Sequence, residues 1–152
     1  MKFSETDINR FLEAQNVPYF SGYKQALEEI KNGKKTNHWI WYIFPQLRCL
    51  GRSSTATYYG IADKSEAQRY LANAILGQRL REISAALLAH TDKRAEEILG
   101  VTDAIKVRSC MTMFDLLSPN DIFGEILDSF YGGERCEITL KVMTAEIFTP
   151  QR

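Results

Sequence analysis

Lys34-Lys35-Thr36-Asn37-His38-Trp39-Ile40-Trp41-Tyr42-Ile43-Phe44-Pro45-Gln46 gathers four aromatic residues and one of the chain's two histidines into thirteen positions. Trp39 to Phe44 is apolar on every side and rich in β-formers, so it reads either as a buried strand or as a short core helix. Thr36 or Asn37 as an N-cap, and Pro45 as a terminator, favour the helix. The apolar part has to be buried, whereas Asn37, His38 and Gln46, with the following Arg52 and Ser53, need partners if buried with it. A mixture of that kind is what a pocket wall looks like.

Outward from this block the chain reads as helices. On the N-terminal side, Thr6-Asp7 can cap a short helix carrying Ile8, Phe11 and Leu12, which Asn16-Val17-Pro18 ends. Tyr23, Ala26, Leu27 and Ile30 share a second helix face, and Asn32-Gly33 supplies its stop. On the C-terminal side, Leu47 to Gly60 is a connection with at most one short helical turn, most loop-like at Gly51-Arg52-Ser53-Ser54. Asp63-Lys64-Ser65-Glu66 is a capping box with aspartate in the Ser/Thr place, opening a helix through Ala67, Tyr70 and Leu71. Leu76, Leu80, Ile83 and Leu87 form a helical stripe that ends near His90. Asp92 is expected to cap a short segment with Ala95, Ile98 and Leu99, closed by Gly100, and Thr102 to cap a helix from Asp103 to about Leu117. In that last helix Val107, Cys110, Met111, Met113, Phe114 and Leu117 cover more than half the circumference, which places it inside a bundle. Ser118-Pro119-Asn120 restarts the chain for an amphipathic helix over Ile122 to Phe130, ended by Gly132-Gly133. From Glu137 to Ile147, alternation of Ile138, Leu140 and Val142 allows a strand, but Leu140, Met143 and Ile147 fit a helix and no strand partner is evident. The expected fold is therefore all-α, a compact single-domain bundle of about six to eight helices, several short, spanning residues 1–152.

Composition narrows the function classes. The chain has 152 residues, 45% hydrophobic and 25% charged, the profile of a soluble globular protein. Lys plus Arg and Asp plus Glu both number 19, so no global basic field recruits nucleic acid or an anionic membrane. Cys49, Cys110 and Cys136 are odd in number and widely spaced, which argues for free thiols and against a disulfide framework or a structural zinc site. His38 and His90 lack metal-site spacing, so no metal is expected, and no cofactor motif appears. With neither an apolar signal region nor a run of membrane-spanning length, the protein is expected in the cytoplasm without a membrane partner.

A resemblance then emerges. The order Ala26-Leu27-x-x-Ile30-x-x-Gly33-x-Lys35-x-x-His38-Trp39-x-Trp41-x-x-Phe44-Pro45-Gln46, followed by Leu50-Gly51-x-Ser53, resembles a bacterial domain-of-unknown-function family, number 1810, whose members are sometimes labelled calpastatin. Glu66-Ala67-x-x-Tyr70-Leu71, Leu76-Gly77-x-Arg79-Leu80, Ile98-Leu99-Gly100-x-x-Asp103-x-x-Lys106-x-x-Ser109-x-Met111-Thr112-x-Phe114 and Gly133 through Thr139-Leu140 are similar to its later blocks. The resemblance implies an all-helical compact domain and carries no established activity with it. Cys110 stands where a small polar residue is expected, and Cys136-Glu137 stands near an expected aspartate.

Site residues follow from chemistry. His38 can act as acid, base or neutral donor near neutral pH, and Trp39 and Trp41 offer flat faces to a ring or a cation. Asp103, Lys106 and Ser109 are three apart on one helix, so adjacent members can point at a shared cleft. If that helix packs on the aromatic block, His38, Gln46, Arg52, Ser53, Asp103, Lys106, Ser109 and Thr112 line a pocket. Arg52 between Gly51 and Ser53 suits an anion. His38 and Asp103 are then the candidate catalytic pair, and Trp39, Trp41, Gln46, Arg52, Ser53, Lys106, Ser109 and Thr112 the ligand contacts. Each has a structural alternative. The tryptophans can be core, Gln46 a helix-end cap, Asp103 the ion-pair partner of Lys106, and Ser109 and Thr112 can bond back to the preceding helical turn. A Cys110–His38 dyad lacks an orienting third residue. The preferred function is a site for a small polar, anionic, nucleotide-like ligand, in an enzyme or a sensor. The alternative is a non-catalytic helical module that docks a protein partner.

Overall fold

The computed structural model describes residues 3–4 and 7–148, with side chains up to residue 145. Among them the chain forms α1 (Asn9–Gln15), α2 (Tyr23–Lys31), α3 (Ile40–Ile43), a 3₁₀ turn (Arg48–Leu50), α4 (Ser54–Tyr58), α5 (Lys64–Ala72), α6 (Ala74–Leu88), α7 (Ala95–Leu99), α8 (Val101–Leu117), α9 (Ile122–Tyr131) and α10 (Glu137–Phe148). The described residues contain no strand; Leu47 and Ile61 form an isolated parallel bridge. The fold is all-α as expected. Among the described residues ten helices form, seven of them at least seven residues long and three of only four or five, in line with the expected six to eight with several short.

The apolar run of α8 dictates its place. Ala104, Val107, Cys110, Met111, Met113 and Phe114 are all buried, so this helix must be covered on most of its circumference. It packs against α5, α7, α9 and α10, while α6 lies on α2, α5 and α9. The Phe114 ring sits 5.6 Å from that of Tyr70 and 5.8 Å from that of Phe123, joining α5, α8 and α9. At the α7–α8 corner Gly100 has φ +84°, a conformation that β-carbon-bearing residues resist, and this lets one helix follow the other directly.

Helix starts differ from the sequence reading in four places. Thr36 and Asn37 do not cap α3, which begins after Trp39 without a side-chain cap. The 47–60 connection holds two helical pieces rather than one turn, because the Ser53 hydroxyl accepts the Ala56 N–H at 3.0 Å and starts α4. Arg94, not Asp92, precedes α7, where the Glu97 carboxylate accepts the Arg94 N–H at 2.9 Å. Gly100 precedes α8, leaving Thr102 within the helix. Of the expected α1 cap, Thr6 lies outside the described residues, and Asp7 accepts the Asn9 N–H at 2.9 Å. The tail is helical, as preferred.

Asp63 accepts the Glu66 N–H at 2.9 Å, but Glu66 does not return the bond to Asp63. Its carboxylate instead accepts the Ala62 N–H at 2.8 Å and pairs with Arg10 at 2.6 Å, both side chains being fully buried. Arg10 also donates to the carbonyls of Tyr58 at 2.7 Å and Gly60 at 3.0 Å. A buried ion pair is tolerable only when its remaining polar atoms are satisfied in this way. The cluster ties α1, α5 and residues 58–60 together, and so anchors one end of the 47–60 connection.

Candidate functional site

Glu29 on α2 organises the aromatic block. Its carboxylate accepts the backbone N–H of Thr36 at 2.7 Å and of Asn37 at 3.0 Å, the Asn37 amide at 2.7 Å and the Trp39 indole N–H at 3.0 Å. One anion thereby does what a helix cap was expected to do, which is why Thr36 and Asn37 turn toward α2 rather than begin α3. Burial pushes the Glu29 carboxyl upward, but the Asn37 amide, the Thr36 and Asn37 N–H groups and the Gln25 amide outweigh it and hold its pKa at about 2. Lys35 then docks the block on α8. Its ammonium pairs with Asp103 at 2.8 Å, donates to the Asn37 carbonyl at 2.6 Å and lies 5.0 Å from the Trp39 ring centre.

Beside this docked block lies a cleft of about 500 Å³. The 46–56 segment contributes Gln46, Arg52 and Ser53 with the apolar Leu50 and Ala56. From α8 come Thr102, Ile105, Lys106, Arg108 and Ser109, and from the start of α10 Cys136 and Ile138. Thr102, Ile105, Lys106 and Ser109 are spaced i, i+3, i+4 and i+7, so they occupy one helix face. Asp103, Lys106 and Ser109 were expected to face a cleft in adjacent pairs. A spacing of three lags the helical repeat by about 60° per step, and Lys106 and Ser109 are the pair that reaches this one. Asp103 is turned to Lys35 and also lies 3.6 Å from Lys106, whose ammonium is 5.6 Å from the Trp41 ring centre.

Arg52, Lys106 and Arg108 give the cleft positive charge, and no carboxylate among the described residues lines it. Arg108 makes a long ion pair with Glu134 at 3.7 Å, and its Nε is buried without a hydrogen-bond partner among the described residues. An unsatisfied buried donor costs about 1–3 kcal/mol. At the far wall Cys136 stands immediately before α10, where its carbonyl accepts the Leu140 N–H at 3.0 Å and its own N–H donates to the Thr112 hydroxyl at 3.0 Å. Burial raises the Cys136 thiol. The Ser109 hydroxyl and the Thr139 and Ile138 N–H groups around the sulfur outweigh it, leaving the pKa below the ordinary thiol value. Cys136 thus precedes α10 near the place where the family resemblance led us to expect an aspartate. Chemically, the site offers cations for an anion, hydroxyls for hydrogen bonds and an ionisable sulfur for an electrophile.

Gln46, Arg52, Ser53, Lys106 and Ser109 therefore meet in one cleft, while Trp41 reaches a small adjoining recess that shares Gln46 and Lys106. Four other candidates lie elsewhere. His38 is exposed and does not line the cleft, and Trp39 is fully buried on Glu29. Asp103 is engaged with Lys35, and Thr112, fully buried, donates to the Arg108 carbonyl at 2.8 Å and holds Cys136. Ser109 likewise bonds back to the Ile105 carbonyl at 3.2 Å, yet remains on the cleft wall. Thr102, Ile105 and Arg108 were missed although they neighbour named residues on α8; following the i, i+3, i+4 face from Lys106 finds Thr102 and Ile105. Cys136 and Ile138 carry no such signal, because only the docking of α10 brings them there.

No group of three or more His, Cys, Asp or Glu side chains among the described residues is placed to hold a metal ion, and no described helix is long and apolar enough to cross a membrane. None of the curated proteins matches the chain. The crystal structure of the conserved hypothetical protein Rv1873 from Mycobacterium tuberculosis, at 1.38 Å, matches with a TM-score of 0.86 and 37% sequence identity, covering 91% of this chain and 97% of that one. The family model described as "Protein of unknown function (DUF1810)" matches residues 5–143. With the fold shared at this identity and the family model running through nearly every described helix, the chain belongs to the DUF1810 family.

Proposed function

We propose that this protein binds a small anionic ligand, of nucleotide-like size, in the cleft between the 46–56 segment, α8 and the start of α10. The observation that supports the reading is the charge of the lining: Arg52, Lys106 and Arg108 share one cavity of about 500 Å³ with no carboxylate among the described residues on its wall. That volume falls within the range of small-molecule sites, about 300–1,000 Å³. Lys106 is held in place by Asp103 and Trp41, so its charge is pre-positioned. Gln46 and Ser53 add neutral hydrogen-bonding groups at the same opening.

A thermal-shift screen of nucleotides and anionic metabolites tests this. A stabilising ligand should lose its effect, by about tenfold or more in affinity, in Arg52→Ala and in Lys106→Ala, since a charge-assisted contact contributes about 1.5–3 kcal/mol. His38→Ala, outside the cleft, should keep it. Stabilisation that survives both cation variants, or no stabilising anion at all, overturns the reading. The alternative, a non-catalytic protein-docking module, draws on Tyr19 and Phe20, each 72% exposed between α1 and α2. It requires a protein partner that Tyr19→Ser with Phe20→Ser releases and that the Lys106 variant retains.

A further inference from the structure

We propose that the anion recognised here is aliphatic, a short alkyl or acyl chain ending in a phosphate or carboxylate, rather than a nucleotide or a compact inorganic anion; this rests on the anion-binding reading above. The apolar part of the wall consists of Leu50, Ala56, Ile105 and Ile138, and no aromatic ring among the described residues lines the cleft. A base would therefore have no ring to stack on. The near aromatic, Trp41, belongs to the adjoining recess and lies against the Lys106 ammonium.

Ile105 on α8 is 54% exposed and Ile138 on α10 is 55% exposed, and both border this one cavity. A scattered exposed isoleucine needs no explanation, but two from separate helices converging on a cationic cleft leave apolar surface that a ligand can dry. Inorganic phosphate would satisfy the cations and leave that surface wet. Ile105 is followed directly by Lys106, so one helix presents an apolar and a cationic group side by side to a ligand with both characters. Charge complementarity thus accounts for the head and the aliphatic wall for the chain.

Calorimetric titration with hexyl phosphate, hexanoate, AMP and inorganic phosphate tests the inference. At least one of the two six-carbon anions should bind about tenfold or more tightly than AMP and phosphate, because each buried methylene is worth roughly a fourfold gain, and which of the two binds identifies the head group. The gain should vanish in Ile105→Ser with Ile138→Ser, whose unchanged melting temperature shows that the fold persists. AMP or inorganic phosphate binding as tightly as both six-carbon anions, or a gain that survives the double variant, overturns the aliphatic assignment and leaves the anion reading standing. If none of the four binds, both fail.

Discussion

Glu29 shows how much one side chain can organise. It satisfies four donors in the segment leading to Trp39. Glutamine can accept at only one of its two ends, so Glu29→Gln should cost about 2–3 kcal/mol in urea unfolding. The pH dependence has a definite sign. The folded pKa, about 2, lies below the ordinary 4.5, so the contribution of Glu29 is present above that ordinary value and is lost as the pH falls through about 2. Wild-type unfolding midpoints should drop over this acid range, and Glu29→Gln should flatten the drop. Cys136 is the second informative residue. In a Cys49→Ser background, iodoacetamide should label Cys136, 7% exposed on the cleft wall, faster on the native chain than Cys110, which is fully buried with its thiol pushed up by burial. Ser109→Ala should slow the Cys136 reaction, and an occupant of the cleft should shield it; mass spectrometry reads both.

Among elements, the 47–60 connection decides whether there is a cleft at all. It is held at its end by Arg10 and Glu66, which also fasten α1 to α5. Removing one partner leaves a charge buried alone, so Glu66→Ala should destabilise by about 3–5 kcal/mol. The double variant Arg10→Met with Glu66→Leu should recover part of that loss, which a double-mutant cycle of unfolding free energies measures. Within the connection, Gly60 leaves no room for a β-carbon, which would lie 2.4 Å from the Arg48 Cα. The chain is thereby pressed against the 3₁₀ turn, and Leu50, Arg52 and Ser53 are presented on its other side to α8 as cleft wall.

At the scale of the molecule, α8 is both the core and the scaffold of the site. Phe114 sits in the core half of that double duty, fully buried between Tyr70 and Phe123. Phe114→Ala should cost about 3–5 kcal/mol through lost burial and a cavity, read by denaturant unfolding. Because the cleft residues Lys106 and Ser109 lie on another face of the same helix, ligand binding in that variant should weaken less than stability does. With equal numbers of acidic and basic residues, the positive cleft is a local arrangement rather than a property of the whole surface.

The sequence by itself determined the helices and the inside of the bundle, because apolar spacing, glycine stops and capping residues act over a few positions. It identified α8 as central, and it carried the family signature through the Lys34–Gln46 block. It also named Gln46, Arg52, Ser53, Lys106 and Ser109, which meet on the cleft. Only the tertiary structure decided that Thr36 and Asn37 bind Glu29 instead of capping α3, that Asp103 is taken by Lys35, and that His38 is exposed and does not line the cleft. It also brought Cys136 and Ile138 from the other end of the chain to complete the wall. A buried carboxylate takes whichever donors packing brings near, and a cleft wall whichever helix docks beside it, and separation along the chain holds no record of either choice.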